Sequence, residues 1–307
     1  MKQNEPSITS LISAFGRAYH SNYDTPKIFD DFIAKELITP QEFASIRENM
    51  IQGIHFFNQE MAQHVQDDPD EILKWITQVQ LSPTTLARAA YCEQVLLHEV
   101  ALGVKQYVIL GAGMDTFAVR HPEMNNSLDI FEVDYPATQE LKKNRLNEAD
   151  LSIPSNLHFV PMDFTQELSY GSLTRLTDEG FVNQKTFFSF LGVSYYLTKE
   201  VVCHLIRHWF AELPSGSSIV LDYADERLFK EKGLSNRVEN MVKMAAVGGE
   251  PMQSCFTYDE IERMLAEAGL LIYEHLSPDN IQNRYFSDRT DYLSAFETIH
   301  FIHAVKK

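Results

Sequence analysis

The feature that most constrains the fold is a change of hydrophobic period after Gly103. Over residues 7–102 apolar residues recur at three- and four-residue steps, which is typical of amphipathic helices. After Gly103 short apolar runs alternate with helical stretches, which is typical of a doubly wound α/β sheet. The sequence therefore predicts a helical cap over residues 1–103 and an α/β core over residues 104–307.

The apolar runs of the second part predict seven strands, and three intervening stretches have helical spacing. A capping box at Thr257 and Glu260 marks the start of the last of these helices. Residues 224–254, rich in Met and Gly, are predicted to be an insertion over the active-site edge of the sheet. The predicted strands are Gln106–Leu110, Leu128–Val133, His158–Pro161, Thr186–Phe190, Ser217–Tyr223, Leu270–Leu276 and Ile299–Val305, and the predicted helices are Pro136–Glu148, Lys199–Leu213 and Tyr258–Ala268.

The charge balance limits the partners that the chain is expected to bind. Among its 307 residues 26 are Lys or Arg and 43 are Asp or Glu, so the formal net charge is −17. This excess of acidic residues argues against binding to nucleic acids or anionic membranes, because such binding needs clustered Lys and Arg. The sequence shows no long apolar run and no signal-peptide core, and its three scattered cysteines fit neither a disulfide framework nor a zinc site. We expect a cytoplasmic protein without a metal.

A glycine loop carries the strongest chemical signal. The first predicted strand is followed by Gly111, Ala112 and Gly113 and then by Asp115 and Thr116. Glycines after the first strand of an open α/β sheet let backbone amides approach a cofactor closely. A dinucleotide fingerprint would have a third small residue where Thr116 stands, and the carboxylate of Asp115 would repel a pyrophosphate. Since Asp115 can accept hydrogen bonds from the ammonium of an amino-acid cofactor, the loop favours S-adenosylmethionine over NAD.

Two further acids follow the next strands. The motif FEVDYP ends the second strand, and Asp134 lies where a carboxylate can accept both hydroxyls of a ribose. Asp163 and Phe164 follow the third strand, where they can contact the amine and the ring of an adenine. Alternatively, Asp134 only caps the next helix and Asp163 belongs to an ordinary turn. The order of glycine loop, ribose acid and adenine acid favours the cofactor site.

At this point the motifs resemble the leucine carboxyl methyltransferase type of class I S-adenosylmethionine-dependent methyltransferases, which includes many bacterial O-methyltransferases. The resemblance implies a Rossmann-like, seven-stranded class I methyltransferase sheet with an N-terminal helical cap. It rests on LGAGMDT at 110–116, FEVDYP at 131–136 with Lys142 or Lys143 following, MDF at 162–164, LGVSYYLT at 191–198, LDYAD at 221–225, LARAAYCEQ at 86–94 and, more weakly, SLISAFGRAYH at 10–20.

The resemblance also implies residue roles. Arg88 would bind the carboxylate of the cofactor, in keeping with the planar, always charged guanidinium; alternatively it is an ordinary salt-bridging arginine. Gly111 and Gly113 would line the methionine portion of the cofactor. Asp134 would bind its ribose, and Asp163 with Phe164 would contact its adenine.

Two positions depart from the family pattern. The fourth strand usually ends in Glu before the Gly-Val-x-x-Tyr run, and Leu191 stands there instead. The pattern also has a lysine in the N-terminal helix, where this chain has Ser10, and Arg17 could take its place. The missing carboxylate at Leu191 puts a polar contact near the reaction centre in doubt.

The predicted function is an S-adenosylmethionine-dependent O-methyltransferase acting on a small molecule or an exposed carboxyl group. The alternatives are methylation of the carboxyl terminus of a protein or peptide, and a non-catalytic relative that binds the cofactor without turnover, which Leu191 keeps open. A hydroxyl acceptor would need a base, for which His20, Tyr195, Tyr196 and His204 are candidates. Tyr196 is the candidate catalytic residue because it follows the fourth strand at the edge that faces the cofactor.

Overall fold

A computed structural model describes residues 5–64, 68–166 and 171–307 of the chain. Helices occupy the first third, and strands alternate with helices thereafter. The helices are α1 Ile8–Tyr23, α2 Pro40–Gln52, α3 Ile54–Phe57, α4 Gln59–His64, α5 Pro69–Ile76, α6 Pro83–Ala101, α7 Phe117–Arg120, α8 Pro136–Glu148, α9 Gly171–Asp178, α10 Lys199–Phe210, α11 Arg237–Val247, α12 Tyr258–Glu267 and α13 Pro278–Ile281. The strands are β1 Gln106–Leu110, β2 Asp129–Asp134, β3 Leu157–Pro161, β4 Thr186–Phe190, β5 Ser218–Ala224, β6 Leu270–Leu276 and β7 Ile299–Lys306.

The seven strands form one mixed sheet in the order β3-β2-β1-β4-β5-β7-β6. Strands β1 to β5 pair in parallel, and β7 runs antiparallel to both β5 and β6. The chain order reverses between β1 and β4, which lie side by side at the centre of the sheet. In open α/β sheets this switch point, at the carboxyl ends of the strands, is where ligands bind.

The structure confirms the predicted α/β fold and its seven strands. Each strand begins and ends within one residue of the predicted bounds, and Pro136–Glu148 is α8 as predicted. Helix α12 starts from the predicted capping box, in which the Thr257 side chain and the Glu260 side chain each accept from the other residue's backbone amide. Helix α10 ends at Phe210, three residues before the predicted end. The division into a cap and a core at residue 103 stays a prediction.

Apolar side chains cover both faces of the sheet. One face packs against α6, while the other packs against α10 and α12. The phenylalanines of β4 alternate between these two layers, with Phe187 on the first and Phe188 and Phe190 on the second, and all three are at most 1% exposed. Burial on both faces explains why three of the five residues of β4, TFFSF, are phenylalanines.

The N-terminal helices have an apolar cluster of their own. Ile72, Trp75, Ile76 and Val79 are buried there together with the inner face of α1. The cluster includes Met114 from the loop after β1, so the helices pack directly on the chain that follows the first strand. In the part of the chain that the structure describes, no helix has the length and apolarity needed to cross a membrane.

One ion pair is fully buried beside β2. The Nζ of Lys142 on α8 lies 2.6 Å from one carboxylate oxygen of Glu132 and 2.5 Å from the other, and each side chain is at most 2% exposed. Burial raises the pKa of Glu132 to about 7, although Lys142 lowers it. Since a buried charge without a partner is costly, this pair fixes α8 against the end of β2.

Removal of the buried lysine should destabilise the fold in a pH-dependent manner. We expect Lys142→Ala to cost about 3–5 kcal/mol of unfolding free energy at pH 8, because it leaves the buried carboxyl group of Glu132 without its partner. The cost should be smaller near pH 6, where Glu132 can take up a proton. Urea denaturation would measure both values.

Lys143→Ala is the matched control, because Lys143 is only half-buried and lies over the Phe159 ring. Its cost should stay near 1 kcal/mol or below. Equal costs for the two variants would contradict a stabilising role of the pair.

Candidate functional site

A cavity of about 890 Å³ opens at the carboxyl ends of β1 to β4. Its floor is formed by the loop after β1, the end of β2, the turn after β3 and the segment after β4. Helices α1, α6 and α11 supply the remaining walls. The volume lies toward the upper end of the range of roughly 300–1,000 Å³ that ligand pockets occupy.

All ten residues that the sequence predicts for the site line this one cavity. They come from five separate segments of the chain, so only the fold brings them together. The ten are Arg88, Gly111, Ala112, Gly113, Asp115, Asp134, Asp163, Phe164, Leu191 and Tyr196.

Asp134, the last residue of β2, is held by the backbone around it. The amide of Gly113 donates to one of its carboxylate oxygens and the amide of Tyr135 donates to the other at 2.6 Å. Burial raises the pKa of Asp134 to about 6, while these two amides lower it. Gly113 has a φ of +54°, which favours glycine, and a Cβ there would lie 3.0 Å from the side chain of Ser10 on α1.

Arg88 on α6 is paired with a buried carboxylate of the sheet. Its Nη1 lies 3.1 Å from Oδ2 of Asp222 on β5 and donates to the Tyr195 hydroxyl at 2.8 Å. Asp222 is fully buried, and its other oxygen accepts from the Gly192 amide at 2.6 Å. Burial alone would lower the pKa of Arg88, but Tyr195 and Asp222 raise it. The guanidinium therefore keeps its charge at the wall of the cavity.

The guanidinium of Arg88 lies directly against the backbone of Gly192. This glycine has a φ of +73°, and a Cβ there would lie 2.4 Å from Nη2 of Arg88. The position therefore requires glycine both for its left-handed backbone and for the close approach of the arginine.

A second set of charged residues supports the glycine loop, and the sequence predicts only Arg17 among them. Arg17 donates to Asp31 at 2.7 Å and to the carbonyl oxygen of Met114 at 2.6 Å. Asp31 also accepts from Thr116 at 2.7 Å. No motif marks Asp31, which the chain places here only through the packing of the N-terminal helices.

Arg120 closes this network on the side of α6. It donates to Glu93 at 2.5 Å and to Thr116 at 2.9 Å. Together with the pairs of Arg17 and Arg88, this means that each arginine lining the cavity already has a carboxylate partner.

The predicted adenine side of the site is shaped by the turn after β3. The Asp163 carboxylate accepts from the backbone amide and the hydroxyl of Thr165, at 2.9 and 2.7 Å. Phe164 is 9% exposed and packs edge-on against Phe190. Leu191, which stands at the family's Glu position, lines the same cavity as a half-buried apolar side chain.

Two of the four candidate bases do not lie at the cavity. His20 is fully buried, with Nδ1 2.7 Å from Asp24 and Nε2 accepting from the Ile28 amide, so both ring nitrogens have structural partners. His204 lies on α10, away from the residues that line the site. Tyr195 and Tyr196 do line the cavity, and burial raises the pKa of Tyr196 to about 12. Tyr196 therefore holds its proton at neutral pH.

The cavity is roofed by two segments that the sequence left least defined. Residues 7–13 cross it from the N-terminal side, and residues 241–253 cross it from α11 and the loop that follows. Gln253 anchors the second segment, since its amide donates to the carbonyl of Tyr195 at 2.7 Å and its side chain donates to that of Tyr196 at 2.6 Å. Glu250, which no motif marks, joins the two segments.

Comparison with known proteins assigns the family. The sequence model of the leucine carboxyl methyltransferase family matches residues 10–210, and the chain belongs to that family. A Bacillus subtilis (strain 168) protein, YktD, is 67% identical over 307 residues that span 100% of both chains, and its name assigns it to the S-adenosyl-L-methionine-dependent methyltransferases. The chain is an S-adenosylmethionine-dependent methyltransferase.

Solved structures of low sequence identity share the fold. A DUF574 family protein from Streptomyces avermitilis MA-4680 has a TM-score of 0.56 at 15% identity, covering 96% of this chain and 97% of its own. A protein from Thermobifida fusca YX, described as a methyltransferase, has a TM-score of 0.55 at 14% identity, covering 100% of this chain and 97% of its own. These similarities confirm the class I methyltransferase fold.

The contact between Gly192 and Arg88 can be tested by adding one methyl group. We expect Gly192→Ala to cost about 1–2 kcal/mol through its positive φ, and at least about 1 kcal/mol more because the new Cβ must displace the guanidinium. Gly103→Ala is the control, because Gly103 has a φ of +98° but no atom within 4 Å of the added Cβ. Unfolding free energies from denaturant titration give the difference. Equal costs at the two sites would mean that Arg88 is not held against Gly192.

Proposed function

We propose that the chain is an O-methyltransferase that acts on an uncharged, largely apolar small molecule. The observation that carries this proposal is the cavity, in which the predicted cofactor residues share one space with apolar side chains of the roof such as Ile12, Met241 and Met252. The cofactor would lie on the floor and the acceptor beneath the roof. The cytoplasmic setting stays a prediction from the sequence.

The residues on the floor suit the chemistry of the cofactor. The charged guanidinium of Arg88 matches a carboxylate, and the fixed oxygens of Asp134 match the two hydroxyls of a ribose. Asp163 and Phe164 offer an acceptor and a ring at the adenine side, while Gly111 to Gly113 leave room for the methionine chain. When bound, S-adenosylmethionine supplies a methyl group on a positively charged sulfur, and the protein aligns the acceptor and excludes water.

The charge of the cavity argues against an anionic acceptor. In the part of the chain that the structure describes, the lining contains three arginines and twice as many carboxylates, and each arginine is already paired. An acceptor carboxylate would thus enter a space with twice as many carboxylates as arginines, in which all three arginines already have carboxylate partners. Charge repulsion in this space disfavours such a group. A neutral hydroxyl meets no such barrier. The proton that it releases on methylation would pass to solvent through the opening of the cavity, because Tyr196 keeps its own proton.

The rim of the cavity is apolar and exposed. Ile8, Phe56 and Val247 line the opening and are 44%, 50% and 89% exposed. Met241 and Met244 lie behind them, and flexible methionine side chains adapt to ligands of differing shape. These contacts support an acceptor with an apolar body, which would cover part of this surface.

Tyr196 is proposed to orient the acceptor oxygen. Because its pKa is raised to about 12, its hydroxyl serves as a hydrogen-bond donor rather than as a base near neutral pH. Its ring packs edge-on against that of Tyr195, with the ring centroids 5.0 Å apart. This contact positions the phenol in the segment after β4.

The role of Asp134 makes cofactor binding dependent on pH. Since the pKa of Asp134 is raised to about 6, its carboxylate is charged above that pH and gains a proton as the pH falls through it. We therefore expect the affinity for S-adenosylmethionine to fall between about pH 7 and pH 5. Calorimetric titration would measure this, with NAD as a control ligand. Asp134→Asn should bind more weakly at pH 7 and remove most of the pH dependence. If the affinity of Asp134→Asn for the cofactor falls by the same factor between pH 7 and pH 5, the Asp134 carboxylate does not bind the ribose.

The acceptor class can be tested with matched molecules. We expect para-hexylphenol to be methylated and para-hexylbenzoate not, because the two share an apolar body and differ in the charge of the reacting group. Release of S-adenosylhomocysteine and mass spectrometry of the product would measure this. Methyl ester formation from the benzoate, or from a peptide ending in leucine, would instead support the carboxyl alternative. Tight cofactor binding without turnover of any acceptor would favour the non-catalytic alternative.

A further inference from the structure

Glu250 is a buried carboxylate at the cavity with no cationic partner in the part of the chain that the structure describes. Its side chain lines the cavity, and the residue is 7% exposed. Oε2 accepts from the Thr9 hydroxyl at 2.5 Å, from the Thr9 amide at 3.2 Å and from the Ser7 hydroxyl at 3.2 Å. All three donors are neutral.

A second carboxylate, that of Asp134, lines the same cavity. The negative charge of Glu250 contributes to the raised pKa of Asp134 and to that of Tyr196, so the three groups lie within electrostatic reach of one another. Asp134 is likewise held by neutral donors, the amides of Gly113 and Tyr135. Glu250 and Asp134 thus place two carboxylates at one cavity, where a cationic ligand would gain charge-assisted partners.

The loop that carries Glu250 is fixed to the segment after β4. The amide of Gln253 bonds to Tyr195, the side chain of Gln253 bonds to Tyr196, and the Ser254 hydroxyl bonds to the Ser194 carbonyl at 3.0 Å. Leu191, where the family pattern has Glu, opens this same segment. A carboxylate from the insertion is thus held against the segment whose own carboxylate is missing.

We propose that Glu250 binds the positive charge of the cofactor and takes over the role of the acid that the fourth strand lacks at Leu191. This inference rests on the proposed placement of the cofactor on the cavity floor. S-Adenosylmethionine offers two cationic groups, an ammonium and a sulfonium, and either is a partner for a carboxylate without a cation. Glu250 is then a cofactor-binding residue supplied by the roof.

The test removes the charge and keeps the hydrogen-bond acceptor. Glu250→Gln leaves a side-chain oxygen to accept from Thr9 and Ser7, so the roof should stay closed. We expect the affinity of this variant for S-adenosylmethionine to fall about 10- to 100-fold in calorimetric titration, as for the loss of a charge-assisted pair. Thr9→Val is the matched control, because it removes the hydroxyl at 2.5 Å but keeps the charge; its affinity should fall less than about 5-fold.

S-Adenosylhomocysteine distinguishes the two cationic groups, because it keeps the ammonium and lacks the sulfonium charge. Equal losses for both ligands in Glu250→Gln would assign Glu250 to the ammonium, and a loss confined to S-adenosylmethionine would assign it to the sulfonium. An unchanged affinity for both ligands, or a loss no greater than in Thr9→Val, would overturn the role of Glu250 while leaving the proposed function intact. Failure of the wild-type chain to bind either ligand would overturn both proposals.

Discussion

The ion pair between Arg88 and Asp222 joins the helical part of the chain to the centre of the sheet. Asp222 lies on β5, where a lone carboxylate would be strongly destabilising, and Arg88 reaches it from α6 across the segment after β4. The pair fits only because Gly192 has no side chain, and the Tyr195 hydroxyl completes it. The position of α6, the turn after β4 and the wall of the cavity therefore depend on one another.

This arrangement also explains which part of the site the sequence could predict. Strands and the glycine loop produce local patterns, because apolar runs, turn glycines and an acid at a strand end lie close together in the chain. Gly111, Gly113 and Asp134 are of this kind, and the structure brings them to one cavity. Asp222 is the only charged residue of β5, but the sequence did not identify it as the partner of Arg88.

The contacts that support the site could not be predicted from local patterns, because the paired residues are distant in sequence. Thr9 and Glu250 are 241 residues apart, and Arg17 and Met114 are 97 residues apart. His20 shows the converse problem. In the sequence it is a histidine near a family motif, but its two ring nitrogens are taken by Asp24 and Ile28. The contacts of Glu250 and Arg17 follow from tertiary packing, which neither periodicity nor spacing encodes, whereas His20 pairs with residues only four and eight positions further along the chain.

The two roof segments, residues 7–13 and 241–253, are joined by the carboxylate of Glu250. The contact between them therefore depends on a charged group that lines the cavity. Glu250 belongs to the loop after α11, while its donors, Ser7 and Thr9, belong to the N-terminal segment. Under the proposed role of Glu250, the cofactor supplies its counter-charge while Ser7 and Thr9 hold the carboxylate from the other roof segment, so cofactor binding and the contact between the two segments favour each other. By linkage the coupling is reciprocal: the contact strengthens cofactor binding by the same factor as the cofactor strengthens the contact. Because the acceptor would enter beneath this roof, the order of binding that the geometry favours is cofactor first and acceptor second.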